Sequence, residues 1–422
     1  MCDMRKTVVY IMTAACLLLL CGYASGRSAD VGRFLSGVTH YSAGRFDLAA
    51  EIFTRLHETS PDDAAVNYYL GLTDYALGRL DSAEVHLGLA VSQDTTNQWY
   101  LQALGTLYSV QGRRSDFATV CEKLLKLSPA QYNTPYTLTV IGDEKMNRRD
   151  DAGALEYYDR ALELDPDYAP AELGKLEILR FTGNFPPFFL TLDHFLRNEI
   201  VRDEIKSDYL GMLIDNMDSR FYWVWGEQLG KLVDLCYRQA PADPVSNLNK
   251  LRMCIIENKQ DSVIYMCNRL AEVSRQAGDK ENLVLALSTA GDMSYQMGDR
   301  REAYRYYDEA LEVDPDCAPV LNNYAYYLSE EGRSLRKALK MSRRTIELEP
   351  DNATYLDTCG WILYLLGRPK EAKPLFKHAM LYGGKDSSVV LEHYSVILGE
   401  LGEKDLSIYY HSLAEQKKAQ QQ

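Results

Sequence analysis

Apolar residues recur at helical spacing along the chain from about residue 30 onward. Within each stretch, side chains at i, i+3, i+4 and i+7 form one apolar stripe, which predicts an amphipathic helix. A glycine then allows the chain to turn, a second stripe follows, and a proline often ends the second helix. The pattern therefore predicts successive pairs of antiparallel helices.

The predicted helix pairs repeat about every 34 residues. Gly37, Gly71 and Gly105 are 34 residues apart, and small residues in the C-terminal half follow at intervals of 34 or 35: Gly291, Ala325, Gly360 and Ser395. Turn glycines recur in phase with this series: Gly44, Gly78, Gly112, Gly183, Gly298, Gly332, Gly367 and Gly402. One such pair cannot bury its own apolar face, so neighbouring pairs must stack.

Two segments of the chain carry the fullest form of the repeat. ALEYYDRALELDPDYAP at 154–170 and AYRYYDEALEVDPDCAP at 303–319 place Ala, an aromatic residue, Ala and Pro at matching offsets. This pattern resembles the tetratricopeptide repeat (TPR) family, although Phe117 replaces an expected Ala and Pro369 lies at a second-helix start. The resemblance implies an all-α fold, a TPR-like α-solenoid (right-handed superhelix) of about 10–11 helical hairpins.

The strength of the repeat divides the chain into five predicted segments. The middle segment keeps the helical spacing but loses the repeat signature, so we expect degenerate hairpins that join two better-formed arrays. The segments are an export signal at 1–26, an N-terminal TPR array at 30–183, degenerate helical hairpins at 184–281, a C-terminal TPR array at 282–414 and a disordered tail at 415–422.

The N-terminal segment predicts export. Arg5 and Lys6 precede an apolar run of about fourteen residues, which is too short for a comfortable membrane span. Simple cleavage, lipidation at Cys21 or Cys16, and retention as an uncleaved anchor remain open. We expect a periplasmic location in the bacterial envelope, either free or tethered to the membrane as a lipoprotein.

The net charge and the cysteine and histidine positions limit the kinds of function that the sequence predicts. The chain has 46 Lys and Arg against 60 Asp and Glu, a net charge of −14, which disfavours nucleic acid as a partner. The six cysteines beyond the export segment form no C-x-x-C pair and read as buried apolar residues, although Cys254 and Cys267 could face each other across a hairpin. His393 and His411 could meet in the last hairpin, but the seven histidines have no metal-ligand spacing. We predict no catalytic residues, no cofactor and no metal.

The predicted function is a non-catalytic scaffold that binds a protein or peptide partner, another envelope protein. The TPR resemblance places partner contacts at the second, fifth, ninth and twelfth positions of each first helix. A packing role between hairpins is the alternative for these side chains, and the family's carboxylate-clamp residues are not matched. The candidate residues are Phe34, Tyr41, Tyr68, Tyr75, Trp99, Tyr136, Tyr295, Asn322, Tyr326, Trp361 and Tyr364.

Two other functions stay open from the sequence. Aromatic faces can stack on sugars, so the first is a glycan-binding outer-membrane lipoprotein built on the same scaffold. The second is an enzyme or regulatory domain within 184–281, where the repeat signature is weakest.

Overall fold

The computed structural model describes residues 28–421, and every regular element within them is a helix. The predictions for the export segment, including lipidation at Cys16 or Cys21, lie outside the described residues. The chain divides into two compact units, one ending at Ile200 and the other beginning at Val201. The prediction of an all-α fold made of stacked helix pairs is confirmed.

The first unit consists of consecutive antiparallel helix pairs joined by short turns. One additional single-turn helix precedes the fourth pair. The helices are α1 (Ser28–Ser42), α2 (Phe46–Thr59), α3 (Ala64–Ala76), α4 (Leu80–Gln93), α5 (Gln98–Val110), α6 (Arg114–Leu127), α7 (Pro129–Tyr132), α8 (Pro135–Asn147), α9 (Asp151–Leu164), α10 (Ala169–Phe181) and α11 (Phe185–Arg197).

The second unit continues the same construction, with longer helices at its start. A short 3-10 helix, Gly384–Asp386, precedes the last pair. The α-helices are α12 (Asp203–Asp215), α13 (Ser219–Gln239), α14 (Pro244–Ile256), α15 (Gln260–Ala277), α16 (Lys280–Gln296), α17 (Arg300–Val313), α18 (Ala318–Glu330), α19 (Leu335–Leu348), α20 (Ala353–Leu365), α21 (Pro369–Ala379), α22 (Ser388–Glu400) and α23 (Lys404–Gln421).

The glycines predicted to make the turns do so. Each ends a first helix with a positive φ, a conformation that a side chain with a Cβ adopts at a cost. At Gly298, for example, φ is +86°, and its N–H donates to the carbonyl of Tyr295 at 3.0 Å. The same left-handed conformation occurs at Gly44, Gly78, Gly112, Gly183, Gly332, Gly367 and Gly402.

Other repeat glycines bring two helices into close contact. A Cβ added at Gly291 on α16 would lie 2.7 Å from Cε1 of Tyr307 on α17. The matching distance from Gly142 to Tyr158 is also 2.7 Å. Both tyrosines are fully buried at 0% exposure. The small residue and the aromatic residue of the repeat therefore form one packing unit, because the ring occupies the space that a larger residue would fill.

The predicted segment 184–281 is helical throughout most of its length. The boundary between the two units along the chain falls within it, between residues 200 and 201. Its first helix, α11, packs on α10 in the first unit, with Phe188, Leu192 and Phe195 at 0% exposure. The remaining helices of this segment, α12 to α15, belong to the second unit. The weak repeat signature thus coincides with the division between the units.

The C-terminal tail differs from its prediction. We predicted disorder for 415–422, but α23 continues to Gln421. Ala414 is fully buried, Lys418 pairs with Glu392 at 2.7 Å, and Lys417 pairs with Asp386 at 3.1 Å. The polar composition that suggested fraying supplies the ion pairs that attach the last turns to α22 and to the 3-10 helix before it.

The cysteines are buried as predicted, with only Cys317 partly exposed, and all six beyond the export segment are free thiols. Burial raises the pKa of the Cys267 thiol to about 12, which keeps it protonated and unreactive. Within residues 28–421, no helix combines the length and the apolar composition that crossing a bilayer requires.

Candidate functional site

The predicted partner-binding residues of the first unit contribute mainly to its core. Tyr68 is only 8% exposed, and its ring centroid lies 4.9 Å from that of Tyr100. Burial raises the pKa of the Tyr68 hydroxyl, with smaller contributions from neighbouring tyrosines. Four more candidates are partly buried against the same core cluster: Phe34, Tyr41, Tyr75 and Trp99. Tyr68 is therefore buried, whereas these four side chains are half-buried, as the aromatic candidates of the second unit are.

Tyr136 is the exception among the candidates in the first unit. It is 54% exposed, and its ring centroid lies 6.4 Å from that of Phe117. The two rings line a shallow surface depression with Asp143 and Arg114. Tyr136 thus remains accessible to a partner, but its aromatic neighbours on α3 and α5 do not share its surface.

The candidates of the second unit form a connected surface. Tyr295 stacks on Tyr327 with a centroid distance of 3.8 Å, and Trp361 stacks on Tyr364 at 5.0 Å. Tyr326 lies between these pairs. Burial raises the pKa of its hydroxyl, and the nearby carboxylates of Glu330 and Asp357 raise that pKa further. The half-buried rings therefore follow one another across α16, α18 and α20.

A polar network connects α16 and α18 beneath these rings. The hydroxyl of Tyr307 and the side-chain amide of Asn323 both donate to the carboxylate of Asp292, the latter at 3.3 Å. Burial raises the pKa of Asp292, and the two hydrogen bonds oppose that shift. The carboxylate is consequently held in one position on the surface that carries Tyr295.

Asn322 is the one candidate of this surface whose polar atom is left without a partner. It is 6% exposed, and its amide donates only a long hydrogen bond of 3.5 Å to Asn323. Its Oδ1 atom accepts no hydrogen bond from residues 28–421. A buried carbonyl oxygen without a donor is costly, so Asn322 weakens the packing of this face rather than strengthening it.

A second polar group connects α20 and α22. Nδ1 of His393 lies 2.9 Å from Oδ1 of Asp357, and the imidazole stacks on the indole of Trp361 at 4.0 Å with an interplanar angle of 13°. Asp357 is 7% exposed. His393 and His411 both lie close enough to lower the pKa of Glu392, after the larger effect of its bond to Lys418.

We define the inner face of the second unit as the second, fifth, ninth and twelfth positions of α16, α18, α20 and α22. None of these residues is Lys or Arg, and Asp292, Asp357 and Glu392 are carboxylates. The face is therefore aromatic and acidic. Its members are Leu285, Ser288, Asp292, Tyr295, Pro319, Asn322, Tyr326, Ser329, Thr354, Asp357, Trp361, Tyr364, Val389, Glu392, Val396 and Gly399.

Sequence reasoning missed Asp292, Asp357 and His393 as parts of this face. The two aspartates occupy ninth and fifth positions, so the repeat frame alone could have identified them. His393 lies one position after a fifth-position residue, and only the structure shows that its ring turns toward Trp361.

One Ser-His-Asp cluster occurs in the first unit and does not have the geometry of a catalytic triad. Ser82 donates to Oδ2 of Asp74 at 2.7 Å, and Nδ1 of His86 contacts the same oxygen at 2.9 Å. The serine lies 3.5 Å from that same ring nitrogen. A triad histidine must contact the serine through its other nitrogen, so this serine is not activated as a nucleophile. Nor do three or more potential metal ligands cluster anywhere in the described part of the chain.

Comparison with known families identifies the repeat directly. Residues 40–105 and 284–317 each match a family model described as tetratricopeptide repeat. Each of these two segments is similar to a tetratricopeptide repeat. The second match covers most of α16 and all of α17, so its frame supports the numbering of the inner face. A search of curated proteins found no match.

The chain is also similar to several solved structures, at low sequence identity. The crystal structure of yeast Tom70 is 13% identical, covers 93% of this chain and 96% of its own, and has a TM-score of 0.36. Naa15/Naa10 bound to HypK-THB is 13% identical over 92% and 68% of the two chains, with a TM-score of 0.41. The APC/C hetero-tetramer Cut9–Hcn1 is 10% identical over 92% and 87%, with a TM-score of 0.40.

Proposed function

We propose that this protein is a non-catalytic scaffold that binds an extended segment of a partner protein along the inner face of the second unit. Stacked repeats present a long continuous surface, and tetratricopeptide arrays are typically protein-interaction modules. The observation that carries the proposal is the series of half-buried rings of Tyr295, Tyr326 and Trp361 along this face, beside the carboxylates of Asp292 and Asp357.

The composition of the inner face selects the partner's chemistry. Asp292 and Asp357 lie on either side of Asn322 in the repeat order, and the face has no Lys or Arg at its defining positions. Half-buried Tyr326 and Trp361 supply aromatic surface next to these carboxylates. A segment with Lys or Arg side chains satisfies both features, because a cation can contact a carboxylate and an aromatic ring together.

The proposed location is the bacterial envelope, and the partner is another exported protein. The support comes from the sequence of 1–26, with Arg5 and Lys6 ahead of a short apolar run. Mass spectrometry of the mature N-terminus in the native host distinguishes simple cleavage, acylation at Cys16 or Cys21, and an uncleaved signal.

Trp361 favours a protein ligand over a sugar. Its indole already stacks on His393 and Tyr364, which leaves less of the ring available for the face-to-face stacking that a sugar requires. Protein recognition uses ring edges and polar tips as well, so the half-buried arrangement does not prevent it.

Selection from a random peptide library tests the proposal. We expect peptides enriched in Lys or Arg, and we expect their binding to the full chain to fall when Trp361 or Asp357 is replaced, as Trp361→Ala or Asp357→Asn. Tyr265→Ala is the matched control, because Tyr265 is an exposed aromatic residue at 59% on α15, outside the inner face. Enrichment of acidic peptides, or equal binding to all variants, contradicts the proposal, and heat released on titration with oligosaccharides favours the glycan alternative.

A further inference from the structure

A cavity in the second unit has a charge opposite to that of the chain as a whole. Arg336, Lys340 and Arg343 of α19 line it together with Arg368 from the turn between α20 and α21, and Glu347 is the one carboxylate in the lining. Its volume is about 610 Å³, within the usual range of ligand pockets. The floor is formed by Leu339, which is buried, and Leu366, which is half-buried. The chain carries a net charge of −14, so four cations around one cavity require an explanation.

The cations on the other faces of α19 are neutralised by carboxylates. The guanidinium of Arg344 contacts Asp316 at 2.7 Å and Glu347 at 3.0 Å. Lys337 pairs with Asp308 at 3.3 Å and also donates to the hydroxyl of Tyr324. These residues therefore stabilise contacts within the protein.

Arg368 is paired with Glu371, but the three cations that α19 places at the cavity lack close partners. Among residues 28–421, no ion pair involves Arg336 or Lys340, and both side chains are exposed. Arg343 reaches only Glu371, at 3.9 Å, and Glu371 is already bound by Arg368 at 2.6 Å. Because Arg336, Lys340 and Arg343 lie at i, i+4 and i+7, their charges project from one stripe of the helix.

The geometry points to a binding site for a phosphate-bearing anion in this cavity. Guanidinium groups bind phosphate oxygens through paired N–H donors, and a lysine adds a mobile point charge. The cavity is larger than one phosphate needs, and Leu339 and Leu366 provide apolar surface for the body of the molecule that carries it. The same chemistry occurs in a soluble phosphate ester and in the headgroup of an anionic lipid.

Two double variants with the same change in net charge separate binding at this cavity from a general effect of charge. Arg336→Gln/Lys340→Gln removes the unpaired cations, whereas Lys337→Gln/Arg344→Gln removes two paired cations from the same helix. Far-ultraviolet circular dichroism checks that both remain folded. Binding of the full chain is measured by calorimetry with pyrophosphate and glycerol 3-phosphate, and by co-sedimentation with phosphatidylglycerol vesicles, against vesicles of phosphatidylcholine alone.

We expect the first variant to bind at least about tenfold more weakly and the second to bind within about twofold of the unaltered chain. Binding of the soluble anions identifies a phosphate ester as the ligand, and binding confined to phosphatidylglycerol vesicles identifies a lipid headgroup. Absence of binding in every arm, or an equal loss in the two variants, overturns the proposal.

Discussion

The hydroxyl of Tyr307 donates a hydrogen bond to the carboxylate of Asp292. The first unit repeats this relationship, where Tyr158 donates to Asp143 at 2.7 Å. In both cases the tyrosine is the aromatic residue that packs against the repeat glycine, so one side chain serves both the core and the polar surface. In the hairpin of α20 and α21 the corresponding residue is Phe376, and the ninth position is Trp361. The hydrogen-bonded pair is therefore a feature of particular repeats.

Tyr307→Phe tests the contribution of this pair to stability. The ring still fills its space, but the half-buried carboxylate of Asp292 loses a donor. We expect the free energy of unfolding to fall by about 1–3 kcal/mol, measured by urea denaturation. Tyr265→Phe, at an exposed tyrosine, should change it by less than about 0.5 kcal/mol. Equal effects of the two substitutions would show that the bond to Asp292 adds nothing.

The pH dependence of stability tests the environment of Asp292. Burial raises the pKa of this carboxyl in the folded state above its ordinary value of 3.8. Its contribution is therefore fully present below that value and is lost as the pH rises through the folded pKa. An asparagine at this position does not titrate. The free energy of unfolding of the unaltered chain, relative to that of Asp292→Asn, should therefore decrease as the pH rises from 3.8 through the folded-state pKa of Asp292. A difference that stays constant with pH contradicts the assignment.

Gly291→Ala tests the close approach of α16 and α17. The added methyl group would lie 2.7 Å from the ring of Tyr307, which is fully buried and cannot move away freely. We expect a loss of about 1–3 kcal/mol in the free energy of unfolding. Gly88→Ala on α4 is the matched control, because nothing lies within 4 Å of its added Cβ. That substitution should leave stability unchanged or raise it by up to about 1 kcal/mol.

The sequence predicted the helix pairs well because glycine has few substitutes where the chain must reverse. Gly298 and seven equivalent glycines mark such turns with a positive φ, and their spacing is visible without any structure, whereas Arg149 and Asn258 take that conformation in two turns that carry no glycine signal. The tail was mistaken for disorder because Lys417 and Lys418 read as solvated charges, whereas their partners lie about 30 residues earlier in the chain, at Asp386 and Glu392.

The candidate site was predictable only in part, because, as in the tail, contacts between residues far apart in the chain are not visible in the sequence. Tyr326 and Trp361 were identified from the repeat frame, but the same frame selected Tyr68, which is buried in the core. Frame position specifies the helix face, and the neighbouring hairpin determines how much of a ring remains exposed. The sequence also does not show which distant residues are in contact. Asp357 and His393 lie within hydrogen-bonding distance although they are 36 residues apart in the chain.

Site-specific photo-crosslinking in the native host tests the central claim most directly. A photoreactive phenylalanine analogue replaces Tyr326, on the inner face of the second unit, or Tyr265, which is exposed on α15 outside it. We expect crosslinks from position 326 to a Lys- or Arg-bearing segment of one exported protein, and none from position 265. Equal crosslinking from both positions, or crosslinks from 265 alone, would contradict the account.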